Sequence, residues 1–194
     1  RINRAADDAA GLAIAEGFRS IVRGTQVAQR NAQDGISLVQ TAEGSLSETT
    51  NILQRIRELA VQSANGTQST SNRQAIQSEV SQLIAQIDDI STDTEFNGIR
   101  VLSVNQTVTL QAGAQASQTL AITMGGARSA DLAVSALSVS SAVQATSAIS
   151  TLDLALRSVN SLRSTLGAFQ NRLEFSINTL AIQEENSSAS ESAI

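Results

Sequence analysis

The chain has 194 residues with 18 acidic groups against 13 arginines, a net charge of −5, and no Lys, His, Cys, Pro, Trp or Tyr. Absence of His and Cys removes the commonest general base, the commonest metal ligand and the thiol nucleophile, so most enzyme mechanisms and cofactor sites fall away. The arginines are scattered with no basic block, which argues against nucleic-acid binding, and no apolar run reaches the ~20 residues a membrane helix needs.

Fifteen core-type positions from Ile14 to Ser63 are spaced alternately four and three apart, and none is charged. The series is Ile14, Phe18, Ile21, Thr25, Ala28, Ala32, Gly35, Val39, Ala42, Leu46, Thr49, Leu53, Ile56, Ala60 and Ser63. A period of 3.5 held this long predicts a coiled-coil seam on one helix over about 8–63, roughly 80 Å of rise. Gly35 falls on that seam, where a missing side chain lets another backbone come close. Asn65-Gly66-Thr67 is a stop and turn signal, with Ser69 or Thr70 placed to cap a second helix over about 70–90. That helix carries its own seam at Ile76, Val80, Leu83, Ile87 and Ile90.

Phe96-Asn97-Gly98 predicts a turn, and alternation in 107–111 and 119–123 predicts strands, giving a β-hairpin region over about 98–125. Residues 125–140 are rich in Ala, Ser and Gly and show no clear period. A third helix follows over about 141–185, with a seam running from Ala145 to Leu180, and the polar tail from Asn186 is expected to fray. The fold class is therefore mainly α: an elongated antiparallel coiled-coil-like bundle of three helices with a small β-hairpin region. Because the seams tie the first helix to the last, the chain reads as one domain. The paired carboxylates Asp7-Asp8, Asp88-Asp89 and Glu184-Glu185 are neighbours about 100° apart on a helix and do not converge on a substrate. By periodicity alone, a secreted needle, tip or adhesin protein fits equally well.

Longer ordered segments separate these readings. Arg1-Ile-Asn-Arg-Ala-Ala-Asp-Asp-Ala-Ala-Gly-Leu-Ala-Ile, Arg30-Asn-Ala-Gln-Asp-Gly-Ile-Ser-Leu-Val-Gln-Thr-Ala-Glu-Gly-Ser-Leu and Leu53-Gln-Arg-Ile-Arg-Glu-Leu-Ala-Val-Gln-Ser-Ala-Asn-Gly-Thr occur in sequence, followed by Glu95-Phe-Asn-Gly-Ile-Arg-Val-Leu and Leu166-Gly-Ala-Phe-Gln-Asn-Arg-Leu-Glu-Phe. Together they make the chain resemble a bacterial flagellin over roughly three quarters of its length.

The resemblance implies a single rod-like inner domain of the D1 type over 1–194, without the terminal core segments and the variable outer domains, as in a piece of a longer chain. It implies a structural, non-enzymatic, secreted subunit of the extracellular flagellar filament that serves motility. Its expected partners are other flagellin subunits, an export chaperone and the filament cap. It also implies recognition by vertebrate Toll-like receptor 5 through Arg55, Leu59 and Glu79, with Arg57, Glu58 and Gln62 close by. Spacing puts Arg55, Leu59 and Gln62 on one helical face beside the seam, which predicts a guanidinium and an apolar side chain free for a partner. The sequence departs from the family pattern at Ser187, where Leu is usual, and at Ala193, where Arg is usual.

Overall fold

The computed structural model describes residues 8–194; Arg1–Asp7, the start of the N-terminal run above, lie outside the described residues. The architecture is mainly α, with three helices and two small antiparallel strand pairs. Helix α1 spans Ala9–Ala64. Asp8 caps it, its Oδ1 accepting hydrogen bonds from Ala10 N and Gly11 N at 3.0 Å each, so two donors that the first turn cannot pair internally are satisfied. Helix α2 spans Thr70–Asp93 and is capped by Ser69, whose Oγ accepts from Asn72 N at 3.2 Å. Strands β1 (Glu95–Phe96) and β2 (Ile99–Arg100) pair antiparallel in the register Glu95↔Arg100 and Phe96↔Ile99. Between them Asn97 and Gly98 have φ of 50° and 78°, the left-handed pair that an Asn-Gly hairpin turn requires. Strands β3 (Gln106–Gln111) and β4 (Thr119–Met124) form the second pair, and helix α3 spans Ala142–Ala193.

The chain divides into two compact units. One contains the chain up to Ser37, Thr107–Ile122 and the chain from Ala168; the other contains Leu38–Gln106 and Thr123–Gly167. In the second unit, Leu46, Leu53, Ile56, Val80, Ile87, Val101, Leu102 and Leu152 are all at most 1% exposed. The aperiodic stretch 125–140 is neither helix nor strand, yet it buries Ala127, Leu132, Val134 and Val139. Polar side chains pin it. Asp88 accepts from Ser129 N and Ser129 Oγ, both at 2.8 Å; Gln77 Oε1 accepts from Val139 N at 2.6 Å; Ser63 Oγ donates to Val139 O at 2.5 Å. A buried loop must find partners for its backbone, and helices α1 and α2 supply them here.

In the first unit α1 contributes small side chains to the interior, Thr25, Ala28 and Ala32 at most 1% exposed, and the large ones come from β4 and α3, with Ile122 and Leu173 both 0% exposed. Leu110 of β3 sits directly over Gly35, beside Leu173, in space that any Cβ at position 35 would occupy. Asn31 Nδ2 donates to Gln111 O at 3.1 Å, holding the same strand end to α1.

Three details differ from the expectation. All seam positions from Thr25 to Ser63 are buried, but Ile14 is 54% exposed, because burial in the first turns falls on Gly11 instead. In α2 the last core position is Ser91, not Ile90; Ser91 Oγ donates to Leu102 O at 2.6 Å, which satisfies the hydroxyl and admits it to the interior. Helix α3 runs to Ala193 rather than stopping near 185. Ser187 lies seven residues beyond Leu180 and is 8% exposed, so the heptad seam continues with a small residue. Glu184 accepts from Gln26 Nε2 at 2.7 Å and Gln29 Nε2 at 3.1 Å, and Glu191 pairs with Arg19 at 3.0 Å, tying the helix end to α1.

Candidate functional site

Within the second unit, α1 and α2 lie close enough for Arg55 and Glu79 to meet. Arg55 Nη2 and Nε approach Glu79 Oε1 at 2.9 and 3.2 Å, and Arg55 Nη1 approaches Glu58 Oε2 at 3.2 Å. The bonds to Glu79 and then Glu58 push the Arg55 guanidinium above its usual range, so it is a permanent cation. Arg55 and Glu79 remain about half exposed, at 52% and 46% of their side chains. Gln62 is exposed and stands seven residues from Arg55 on the same helical face. The face therefore offers a preset cation between two carboxylates, with an amide one turn and more away.

Two of the six residues expected here are placed differently. Leu59 is 3% exposed, which corrects the expectation of a free apolar side chain. With α2 on one side and α3 on another, α1 buries Leu53, Ile56, Leu59, Ala60 and Ser63, a stripe wider than a two-helix seam. Arg57 turns toward α3, where its Nε meets Asp153 Oδ1 at 2.8 Å. Thus Arg55, Glu58, Gln62 and Glu79 share the α1–α2 surface, while Arg57 belongs to the α1–α3 surface.

One surface went unread in the sequence. Val143, Leu154, Phe175 and Ile182 on α3 are 78%, 60%, 72% and 62% exposed. Phe175 and Ile182, both in the first unit, stand seven residues apart and so share one face of the helix. Their signal was available as large apolar residues off the seam positions. Among the described residues, no group of three or more acidic, His or Cys side chains is arranged to hold a metal ion, and no helix is long and apolar enough to cross a membrane.

The chain matches the bacterial flagellin N-terminal helical region over residues 1–107 and the bacterial flagellin C-terminal helical region over residues 149–194. It is similar to a flagellin of Halalkalibacterium halodurans, 46% identical over all of this chain and 72% of that protein. It is also similar to the flagellar filament 31.3 kDa core protein of Treponema maltophilum, 42% identical over all of this chain and 74% of that one. In three dimensions it resembles the crystal structure of Bacillus cereus flagellin with a TM-score of 0.66 and 31% identity, across 78% of this chain and 88% of that one. Fold and matches together define a structural subunit of the extracellular flagellar filament. The chain belongs to the bacterial flagellin family.

Proposed function

We propose that the described helices act as the D1-type rod domain of a flagellin, packing helix against helix with neighbouring copies to build a filament for swimming. The exposed apolar pair Phe175 and Ile182 of α3 carries this reading, since both side chains would leave water on contact with another subunit. Export chaperone and filament cap are the further partners of this reading. The test exchanges Phe175→Asp and Ile182→Asp, singly and together, into the protein and follows its incorporation onto flagellin filament seeds. The reading expects normal helicity with incorporation lost in the double variant; undiminished incorporation would contradict it.

A second reading is favoured by the Arg55–Glu79 geometry: the α1–α2 surface is a recognition site for Toll-like receptor 5. Supporting it are a charged pair fixed across two helices, its half exposure, and Glu58 and Gln62 beside it. Leu59 supports this surface from beneath, and Arg57 flanks it from the α3 side. If filament packing covers the same face, free subunits would be read and assembled ones would not. A receptor reporter assay with Arg55→Ala and Glu79→Ala should show a clear loss of response for each at unchanged circular dichroism, whereas Leu59→Ala should lose response together with stability. Full response from both charge variants would remove the reading.

A further inference from the structure

Two Asn-Gly pairs take no part in either role above, Asn65-Gly66 after α1 and Asn97-Gly98 between β1 and β2. Their surroundings differ. Asn65 Oδ1 accepts a hydrogen bond from Thr67 N at 3.2 Å, a turn that folds the side-chain amide over the peptide that follows it. The Asn65 carbonyl accepts from Gln68 N at 3.2 Å and from Arg73 Nη2 at 3.0 Å, and Asn65 N donates to Gln62 O at 3.3 Å, so the backbone around the side chain is held. Gly66 N donates no hydrogen bond, and Gly66 is exposed with open space where a Cβ would stand. Asn97, in contrast, sits at φ 50° in a turn clamped by the Phe96↔Ile99 pair, and its side-chain carbonyl receives no hydrogen bond.

We propose that Asn65 is a site of spontaneous backbone-assisted deamidation, favoured over Asn97 by this geometry. The Thr67 N–H withdraws electron density from the Asn65 amide, making Cγ the better electrophile, and the uncommitted Gly66 nitrogen next to it is the nucleophile. Gly66 N attacks Cγ; the new N–Cγ bond closes a five-membered imide, the Cγ–Nδ2 bond breaks, and Nδ2 leaves as ammonia with the proton that Gly66 N gives up through solvent. Water then opens the ring. Attack at Cγ leaves an ordinary aspartyl residue, while attack at the backbone carbonyl leaves an isoaspartyl link in which the chain runs through Cγ. No oxidant or reductant is consumed. Either product adds a carboxylate beside Arg73, and the isoaspartyl product lengthens the turn between α1 and α2 by one chain atom.

The chain carries no Lys, so trypsin cuts only after Arg and separates the two sites into peptides Glu58–Arg73 and Gln74–Arg100. The purified protein is aged in mildly alkaline buffer, digested, and the acid-for-amide mass change and isoaspartyl fragments are followed at each position. Conversion at Asn65 is expected to run at least about tenfold faster than at Asn97, and Gly66→Ala, whose methyl crowds the attacking nitrogen, should slow it about tenfold while leaving helicity intact. In strong denaturant the two sites should convert at similar rates, because the structural difference is gone. No conversion at Asn65, conversion at Asn97 as fast or faster in the native protein, a parental rate in Gly66→Ala, or the same site preference after denaturation would each overturn the proposal.

Discussion

The two compact units use one helical period to build unlike interiors. In the unit containing Leu38–Gln106, α1 meets the seams of α2 and α3 with Leu46, Leu53, Ile56, Ile87 and Leu152, all 0% exposed, and the loop 125–140 seals the surface with buried Val134 and Val139. In the unit containing the start of α1 and the end of α3, the same register of α1 delivers Thr25, Ala28, Ala32 and Gly35, and the large buried side chains come instead from β4 and α3, with Ile122 and Leu173 at 0% and Leu180 at 4%. Burying a Leu or Ile side chain contributes about 1.5–3 kcal/mol and an Ala or Gly far less, so a continuous seam does not imply even cohesion. Each unit also carries one buried polar atom without a hydrogen-bond partner, Thr25 Oγ1 in one and Arg163 Nε in the other, so the contrast rests on side-chain volume alone. Period determines where two helices touch, and side-chain volume determines how firmly.

Substitutions can break that contrast. Leu53→Ala and Leu166→Ala, at 0% and 3% exposure, should each cost about 2–5 kcal/mol in thermal or denaturant melts. A loss under about 0.5 kcal/mol at Leu166 would remove it from the core. In the other unit the sensitive position on α1 is a glycine: Gly35→Ala forces a methyl into Leu110 and Leu173 and should cost about 1–3 kcal/mol, since the small-residue face of α1 is broken by adding volume rather than by deleting it. Gly17 and Gly44 face open space, one in each unit, so Gly17→Ala and Gly44→Ala should each stabilise by about 1 kcal/mol through helix propensity alone. The smallest effects belong to the surface. Ile14→Ala should stay within about 0.5 kcal/mol of the parent, and Arg57→Ala, which opens a half-exposed pair with Asp153, within about 1 kcal/mol.

Periodicity made α1 legible because each seam position from Thr25 to Ser63 repeats a single geometric requirement. It could not show that Leu59 is buried, since that depends on two helices flanking α1 at once, which no single-helix pattern encodes. The segment 125–140 had no readable signal because its order comes from distant side chains, Asp88, Gln77 and Ser63, meeting its backbone. The end of α3 looked polar and was expected to fray, but Glu184 and Glu191 find partners in Gln26, Gln29 and Arg19 more than 150 positions away in the chain. Arg55 and Glu79 meet across α1 and α2, a contact that the one-helix spacing of Arg55, Leu59 and Gln62 did not encode, and the orientation of Arg57 toward Asp153 follows from α3 and lay beyond a reading of α1 alone.

Native-state hydrogen exchange on the whole chain measures the local opening free energies on which the contrast between the units rests. Amides of α1 between Leu46 and Ala60 should open only at the highest free energy in the molecule, and those between Thr25 and Ala32 at distinctly lower values. Equal protection along α1, or stronger protection at Thr25–Ala32 than at Leu46–Ala60, would contradict the account.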